Sequence, residues 1–493
     1  MKRIYLSLLS FVCAATMFAQ TYTNPIFGGD YPDPTIMREG NDYYMTHSAF
    51  DYQPGLTVFH STDLIHWEPI SYALKTYLGS VWAPDISKYK DRYYIYFTVA
   101  HPTGRKNFVT WAQSPYGPWS EPIDLQIGNI DPCHVVGEDG TRWMFMSGGK
   151  RVKLANDGLS ILKGTEEIIY KGWQYPLDWI TEGFCLEGPK IRKVGDYYYY
   201  LNAEGGTAGP PTSHMVVCAR SKSINGPWEN SPYNPIVHTY NNADRWWSRG
   251  HGSLIDTPDG NWWIVYHSYE NSFTSLGRQT LLEPLEFTSD KWFKPLVKDV
   301  AKSISVPMPK SKSVITRFDR LSEFRIGYEW KFYKSFEPER ISVNNGELTM
   351  QAKGNDASSS SPIMFVAGEH RYEFEAEIEL HGNCTAGLLL YYNSSFFMGS
   401  GFNKQMRFRY RKGGASRCGI NNTKHLWMRL KNDNQIVTGE YSTDGKTWIR
   451  ETWGMDCSGY NHNTLYEFQS VLPGLFVYGK GFATFRNFKF HKL

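Results

Sequence analysis

Asp33, Trp82, Asp131, Glu187 and His251 recur at one position of a long repeat and bring together the groups needed for acid–base chemistry. Asp33 stands in "YPDPT", Asp131 in "GNIDPCHVV", Glu187 in "TEGFCLEGPK" and His251 in "RGHGSL". Carboxyl groups facing each other across a pocket are what hydrolysis of a glycosidic bond requires. One must be protonated to donate to the leaving oxygen, and the other ionised to activate water or attack carbon. A third carboxylate nearby keeps the donor protonated by like-charge repulsion. Each residue also has a plainer reading. Asp33 and Asp131 can cap turns, His251 can be a satisfied core histidine, and Glu187 competes with Glu182 five residues earlier, on the opposite side of a strand. Asp85, three residues beyond Trp82, reads as a strand cap. The set is more telling than any member, because a purely structural fold has no reason to bury like charges on one axis.

The elements that must position these residues are read from a repeat. A tight turn followed by paired aromatics occurs as "GNDYYM", "KDRYYIYF", "DGTRWMFM", "GDYYYYL" and "DGNWWIVYH". Taking Tyr44, Tyr94, Trp143, Tyr198 and Trp263 as markers, the intervals are 50, 49, 55 and 65 residues. Stepping back 11 or 12 residues from each marker gives the five positions above, on the strand expected to line a central channel. Helical periodicity is nearly absent. The pattern predicts an all-β chain with a five-bladed β-propeller over residues 20–300. Residues 301–314, "AKSISVPMPKSKSV", read as a linker. From 315 to 493 the grammar is that of a β-sandwich. "RISVNNGELTM" is a hairpin across an Asn-Gly turn, and "RYEFEAEIEL" alternates an apolar face with an acidic one.

Composition narrows the class. Net charge is +3 with 20% charged residues, which gives no footprint for nucleic acid. Aromatics reach 16%, including 17 Trp and 33 Tyr, enough for large cores and for stacking on sugar rings. "MKRIYLSLLSFVCAATMFAQ" predicts a signal peptide over residues 1–19 and export to the periplasm or medium. Lipid anchoring at Cys13 is disfavoured by the bulky Val12 before it. No other run approaches the roughly 18 apolar residues of a membrane span. The cysteines form no CxxC pair, so a metal cluster is not expected and disulfides stay open. Oligomeric state is not legible.

On these residues the sequence resembles the family 43 glycoside hydrolases, five-bladed propeller enzymes of the β-xylosidase and α-L-arabinofuranosidase type. The likeness is carried by "YPDPT", "HSAFDYQPGLTVFHSTDLIHW", "VWAPDI", "IDP", "LEGPK", "NAEGGT", "GHGSL" and "LGRQTLLEPL", in order from residue 22 to about 300. The resemblance implies Asp33 as general base, Glu187 as general acid and Asp131 as the residue that tunes and orients that acid. It implies an inverting reaction, with the two carboxyl groups about 6.5–9.5 Å apart. Phe50 and Trp82 then wall the sugar subsite, and Arg278 contacts sugar hydroxyls. His251 matches an axial histidine beside which some members hold calcium or another ion; the chemistry itself needs no cofactor. Glu204 lies in the matching "AEGG" segment without a chemical step. The carboxy-terminal part resembles the lectin-like (concanavalin-type) sandwich of the xylosidase branch, which closes the pocket with an aromatic; "YYNSSFFMGSGF" offers Phe396 or Phe397. The function so implied is exo-acting release of terminal β-D-xylose or α-L-arabinofuranose from plant-type poly- or oligosaccharides. The rivals are a non-catalytic carbohydrate-binding propeller, with no use for three converging acids, and a retaining glycosidase, with carboxyls about 5–5.5 Å apart.

Overall fold

The structure is a computed structural model that describes residues 21–296, 304–305, 317–465 and 467–493. The signal segment 1–19 with Cys13 lies outside the described residues, as does the linker 301–314 apart from Ile304–Ser305. Those two residues pair with Thr21–Tyr22.

Five antiparallel sheets of four strands follow one another along the chain. Their innermost strands are Thr35–Glu39, Ser80–Tyr89, Cys133–Val136, Glu187–Val194 and Trp246–Asp256. The second strands, Asp42–Thr46, Arg92–His101, Arg142–Met146, Tyr197–Glu204 and Trp262–Glu270, carry the aromatic markers. Blade 4 adds a short strand, Val237–His238, beside Met215–Ser221.

The paired aromatics have a simple cause. Successive side chains of a strand point to opposite faces, and each face of a blade abuts another blade. Tyr43 and Met45 pack with Trp263 and Val265 of blade 5, while Tyr44 packs with Ile86, Ile95 and Phe97 of blade 2. Tyr94 and Tyr96 join Met144 of blade 3, and Trp143 and Phe145 join Tyr198 and Tyr200 of blade 4. Tyr199 joins Ile264 and Tyr266 of blade 5. Each of the five gaps thus holds its own apolar core, and the ring is closed. The chain start seals the last gap: Ile26 donates its N–H to Thr280 O at 3.0 Å, and Tyr22 and Asn24 both donate to Leu282 O.

The sandwich is built on two long strands, Arg371–Asn393 and Leu472–Lys492, paired along most of their length. Tyr372, Phe374, Ala376, Ile378 and Leu380 all point into its core, while Glu375 on the other face pairs with Arg429 and Lys489. The hairpin pairs Ile341 with Met350 and Val343 with Leu348, as its Asn-Gly turn predicts.

The two domains dock by strand addition. Tyr52–Gln53 of the first blade pairs with Lys331–Tyr333 of the sandwich. Gln469 donates to Asp51 at 2.9 Å, and Val471 donates its N–H to Ser275 O at 3.0 Å. The segment preceding Leu472 is therefore pinned over the propeller face on which the inner strands begin.

Candidate active site

Each blade has, in its inner strand or two residues before it, a residue in left-handed backbone geometry at an equivalent place around the ring. These are Asp33 (φ 55°), Ala83 (φ 33°), Asp131 (φ 60°), Gly188 (φ 59°) and His251 (φ 56°). The strand ladders skip register at Trp82/Asp85, Glu187/Lys190 and Gly250/Ser253. Such bulges re-aim side chains. Holding a non-glycine residue in this region costs on the order of 1–3 kcal/mol, and four of the five positions, all but Gly188, bear that cost. Gly188 is required here on a second count, because a Cβ would meet the His251 ring at 3.0 Å.

Asp33 is buried. Arg278 forks its carboxylate, Nη1 to Oδ1 at 3.2 Å and Nη2 to Oδ2 at 3.5 Å. The Ser48 hydroxyl donates to Oδ2 at 2.5 Å and accepts the Ala83 N–H at 2.6 Å, linking the first two blades. His267 Nδ1 lies 3.0 Å and His251 Nδ1 3.4 Å from Oδ1. Nδ1 of His267 is also 3.1 Å from the Asp33 N–H. Nδ1 therefore accepts that N–H, and Nε2 of the same ring lies 3.2 Å from the Thr207 hydroxyl. Burial alone would raise the Asp33 pKa, but Arg278, then His251 and His267, outweigh it and hold the carboxyl well below the usual range. Asp33 is ionised.

Asp131 accepts the Gly188 N–H at 2.9 Å and the Ser147 hydroxyl at 3.1 Å, both on Oδ2, while its own N–H donates to Thr98 Oγ1. Burial, with the Asp33 charge adding to it, pushes its carboxyl up to about 6 against those hydrogen bonds. Glu187 keeps 23% of its side chain exposed, which lets a substrate reach it. Burial on its other sides, then the charges of Asp131, Asp33 and Glu182, lift it well above the ordinary glutamate value, with Arg278 opposing. These causes favour its protonated form. The surroundings therefore favour an ionised carboxylate at Asp33 and a protonated carboxyl at Glu187.

The sequence-predicted residues fall as follows. Phe50, Trp82 and Arg278 meet at one ring, Phe468: Phe50 stacks on it at 5.9 Å, Trp82 meets its edge at 5.7 Å, and the Arg278 guanidinium lies 4.8 Å from its centre. This corrects the expectation for Phe396 and Phe397. Phe397 is buried inside the sandwich, stacked on Tyr391 at 5.8 Å, and Phe396 packs against Tyr460 and the sandwich core. Both are committed to their own domain, and the aromatic that the sandwich delivers is Phe468, backed by His462 in a stack at 3.8 Å. Asp85 is also more than a strand cap: it pairs with Lys190 at 3.2 Å and accepts the His134 N–H at 2.9 Å, tying blades 2, 3 and 4 below the site. Glu182 is exposed and accepts the Ala208 N–H at 2.8 Å. Glu204 is buried, accepts the Trp173 N–H at 2.7 Å, and is pushed up to about 8 by burial.

Reading the sequence missed Ser48, Thr207, His214 and His267. His214 is fully buried, with Nε2 3.8 Å from Glu187 Oε1 and no protein hydrogen-bond partner on either nitrogen. Ser48 sits inside the quoted "HSAF", and a serine that had to meet Asp33 was its only signal. His251 presents a buried Nε2 without a protein partner. Among the described residues no three His, Cys, Asp or Glu side chains converge on a point that could hold a metal. Calcium takes six to eight oxygen ligands, so one imidazole nitrogen does not fit it. No helix among the described residues is long and apolar enough to cross a membrane, and the six cysteines there are unpaired.

A propeller mouth that keeps one acid ionised and another protonated, between aromatic walls, is the equipment of a glycoside hydrolase. Comparison with known proteins agrees. The model for "Glycosyl hydrolases family 43" matches residues 22–293, and that for "Beta xylosidase C-terminal Concanavalin A-like domain" matches residues 319–491. The chain belongs to glycosyl hydrolase family 43. It is 32% identical over 387 residues to a "Non-reducing end alpha-L-arabinofuranosidase" of Bacteroides ovatus, covering 73% of this chain and 71% of the relative. It is 27% identical over 427 residues to a "Beta-xylosidase" of Bacillus subtilis, covering 76% and 77%. The crystal structure of a family 43 protein from Bacillus licheniformis superposes with a TM-score of 0.85 at 27% identity, covering 96% of this chain and all of that one.

Phe468 gives a first expectation. Phe468→Ala should raise KM for a small pentoside about tenfold, the worth of one lost aromatic wall, while kcat changes little. An unchanged KM would place the sugar elsewhere.

Proposed function

We propose that the protein is an exo-acting, inverting glycosidase that removes terminal β-D-xylose or α-L-arabinofuranose from plant-type poly- or oligosaccharides. The observation that carries this is the cluster itself: Asp33 is forked by Arg278 and lies against His251, while Asp131 holds the Gly188 N–H next to Glu187, an arrangement that favours the ionised form of Asp33 and the protonated form of Glu187. Asp33 accepts a proton from a water that attacks the anomeric carbon. Glu187 donates its proton to the glycosidic oxygen as that bond breaks. Asp131 holds the acid's strand through Gly188 and, by its charge, keeps Glu187 protonated. Arg278 and Phe50 position the sugar with Trp82 and Phe468, and Ser48 fixes the carboxylate of Asp33. The relatives' printed names, an arabinofuranosidase and a β-xylosidase, support both pentoses. Phe468, which the sandwich lays against Phe50, Trp82 and Arg278, supports a site closed on that side and removal of chain ends.

No step needs a metal; His251 serves by lying against Asp33 and Gly188. The basic-then-apolar start of the chain supports export, and sequencing of the mature protein should then begin at Gln20. A screen of para-nitrophenyl pentosides identifies the sugar, and proton NMR of the first product tests the stereochemistry. Inversion is expected; retention would remove the water-mediated mechanism. A non-catalytic binder would release no sugar in that screen.

A further inference from the structure

The segment joining blade 3 to blade 4 has the sequence "KGWQYPLDWITEGFCLE", and none of its residues from Lys171 to Glu187 is buried. It nevertheless holds Trp173, Tyr175, Trp179 and Phe184. Leu177 is 102% exposed, Ile180 74% and Phe184 38%, and the neighbouring Tyr240 is 68% exposed. Apolar side chains left in water on this scale mark a contact surface rather than a folding element.

The rings are ordered among themselves. Tyr175 lies 15° from parallel to Trp179 at 6.3 Å and 29° from parallel to Phe184 at 5.9 Å. Trp179 in turn stacks on His238 at 4.5 Å and 6°, and Tyr240 stands against its edge. The backbone is tied down as well. Trp173 N–H donates to Glu204, Glu182 N–H donates to Gly205 O at 3.0 Å, and the Tyr175 hydroxyl bonds Thr181 at 3.0 Å. The surface is thus preformed.

Its place follows from the chain. Phe184 precedes Glu187 by three residues, and the 205–208 segment beneath the loop carries Thr207, whose hydroxyl meets His267 beside Asp33. The segment that carries these rings runs directly into Glu187 and is tied to Gly205, which sets the platform on the acid's side of the site. An acid hands its proton to the leaving-group oxygen, so that side is where the rest of a glycan chain lies. Only Lys171, Asp178 and Glu182 are charged in the segment before Glu187, and Glu182 is held by Ala208. Flat, uncharged rings match the apolar C–H faces of neutral pyranose units.

We propose that Trp179, Tyr175, Phe184 and Tyr240 form a platform that binds the leaving-group side of a neutral, β-linked pentopyranose chain. This rests on the function proposed above, and remote contacts of this kind add to kcat/KM for long substrates only.

The test compares wild type, Trp179→Ala and Tyr240→Ala on a para-nitrophenyl pentoside and on a xylo-oligosaccharide of six units, with mass in solution by light scattering. Tyr240 belongs to a different segment, so its loss leaves the loop's own bonds intact. Each substitution should lower kcat/KM on the hexamer about tenfold and change the pentoside value less than about twofold. Equal losses on both substrates, or none on either, overturn the platform. So does a wild-type dimer that both substitutions dissociate, since the face would then belong to a second copy of the chain. A wild type inert to every pentoside defeats the function and the platform together; an active one whose variants ignore chain length defeats the platform alone.

Discussion

Glu187→Ala is expected to lower kcat/KM on oligosaccharides by about 10²–10⁴-fold, the usual contribution of a positioned general acid. The loss should shrink steeply as the leaving group becomes more acidic, because a nitrophenolate departs without a donated proton. That dependence separates lost proton donation from general damage to the pocket. Glu182→Ala is the internal control: its carboxylate is exposed and occupied by the Ala208 N–H, so it should retain activity within about threefold, as surface substitutions do. If the leaving-group signature followed Glu182 instead, the assignment of the acid would fall.

Asp33→Asn should cost a similar factor, about 10²–10⁴, but evenly across leaving groups, since activation of water is needed whatever departs. Asparagine suits the left-handed backbone and can still accept from Ser48, so the fold is kept while the base is lost. Added azide, a nucleophile that needs no base, should recover part of the rate and yield a glycosyl azide of inverted configuration. Recovery by azide in Glu187→Ala but not in Asp33→Asn would reverse the two roles. The pH profile carries the same logic. Activity requires Asp33 ionised and Glu187 protonated, so the rate falls as pH drops through the depressed Asp33 value and as it rises through the elevated Glu187 value. The upper limb belongs to Glu187 and Asp131 as a pair, because each proton lost raises the other's hold on its own. Asp33→Asn should erase the lower limb and, by removing one of the charges that hold Glu187 and Asp131 up, shift the upper limb to lower pH.

Much of this was legible in the sequence for one physical reason. Blades are equivalent, so a fixed count back from an aromatic marker lands on the same place in each, and Asp33, Asp131 and Glu187 emerged from counting alone. Period-two alternation likewise gave the sandwich strand at Tyr372–Leu380. What stayed hidden depends on contacts distant in sequence. Phe468 reaches Phe50 across more than four hundred residues because Gln469 and Asp51 fix the docking, and no local pattern near "FQS" announces it. Phe396 and Phe397 looked suitable because they are adjacent aromatics after a turn, but strand pairing with Ala386–Asn393 commits one to the interior. His267 lies within an aromatic marker strand, where a histidine reads as core until its partner is known. His214 has no local signal at all.

The ring of left-handed residues has a consequence for how this protein would respond to selection for heat resistance. Asp131 occupies a backbone region that disfavours most side chains, and its charge sits among other acids that oppose it. Asp131→Asn keeps an oxygen for the Gly188 and Ser147 donors, suits the backbone at least as well, and removes the repulsion. Variants chosen for survival at high temperature should therefore accumulate that change, melt later than the parent, and hydrolyse poorly. The fold's durability and its catalytic competence pull this one position in opposite directions.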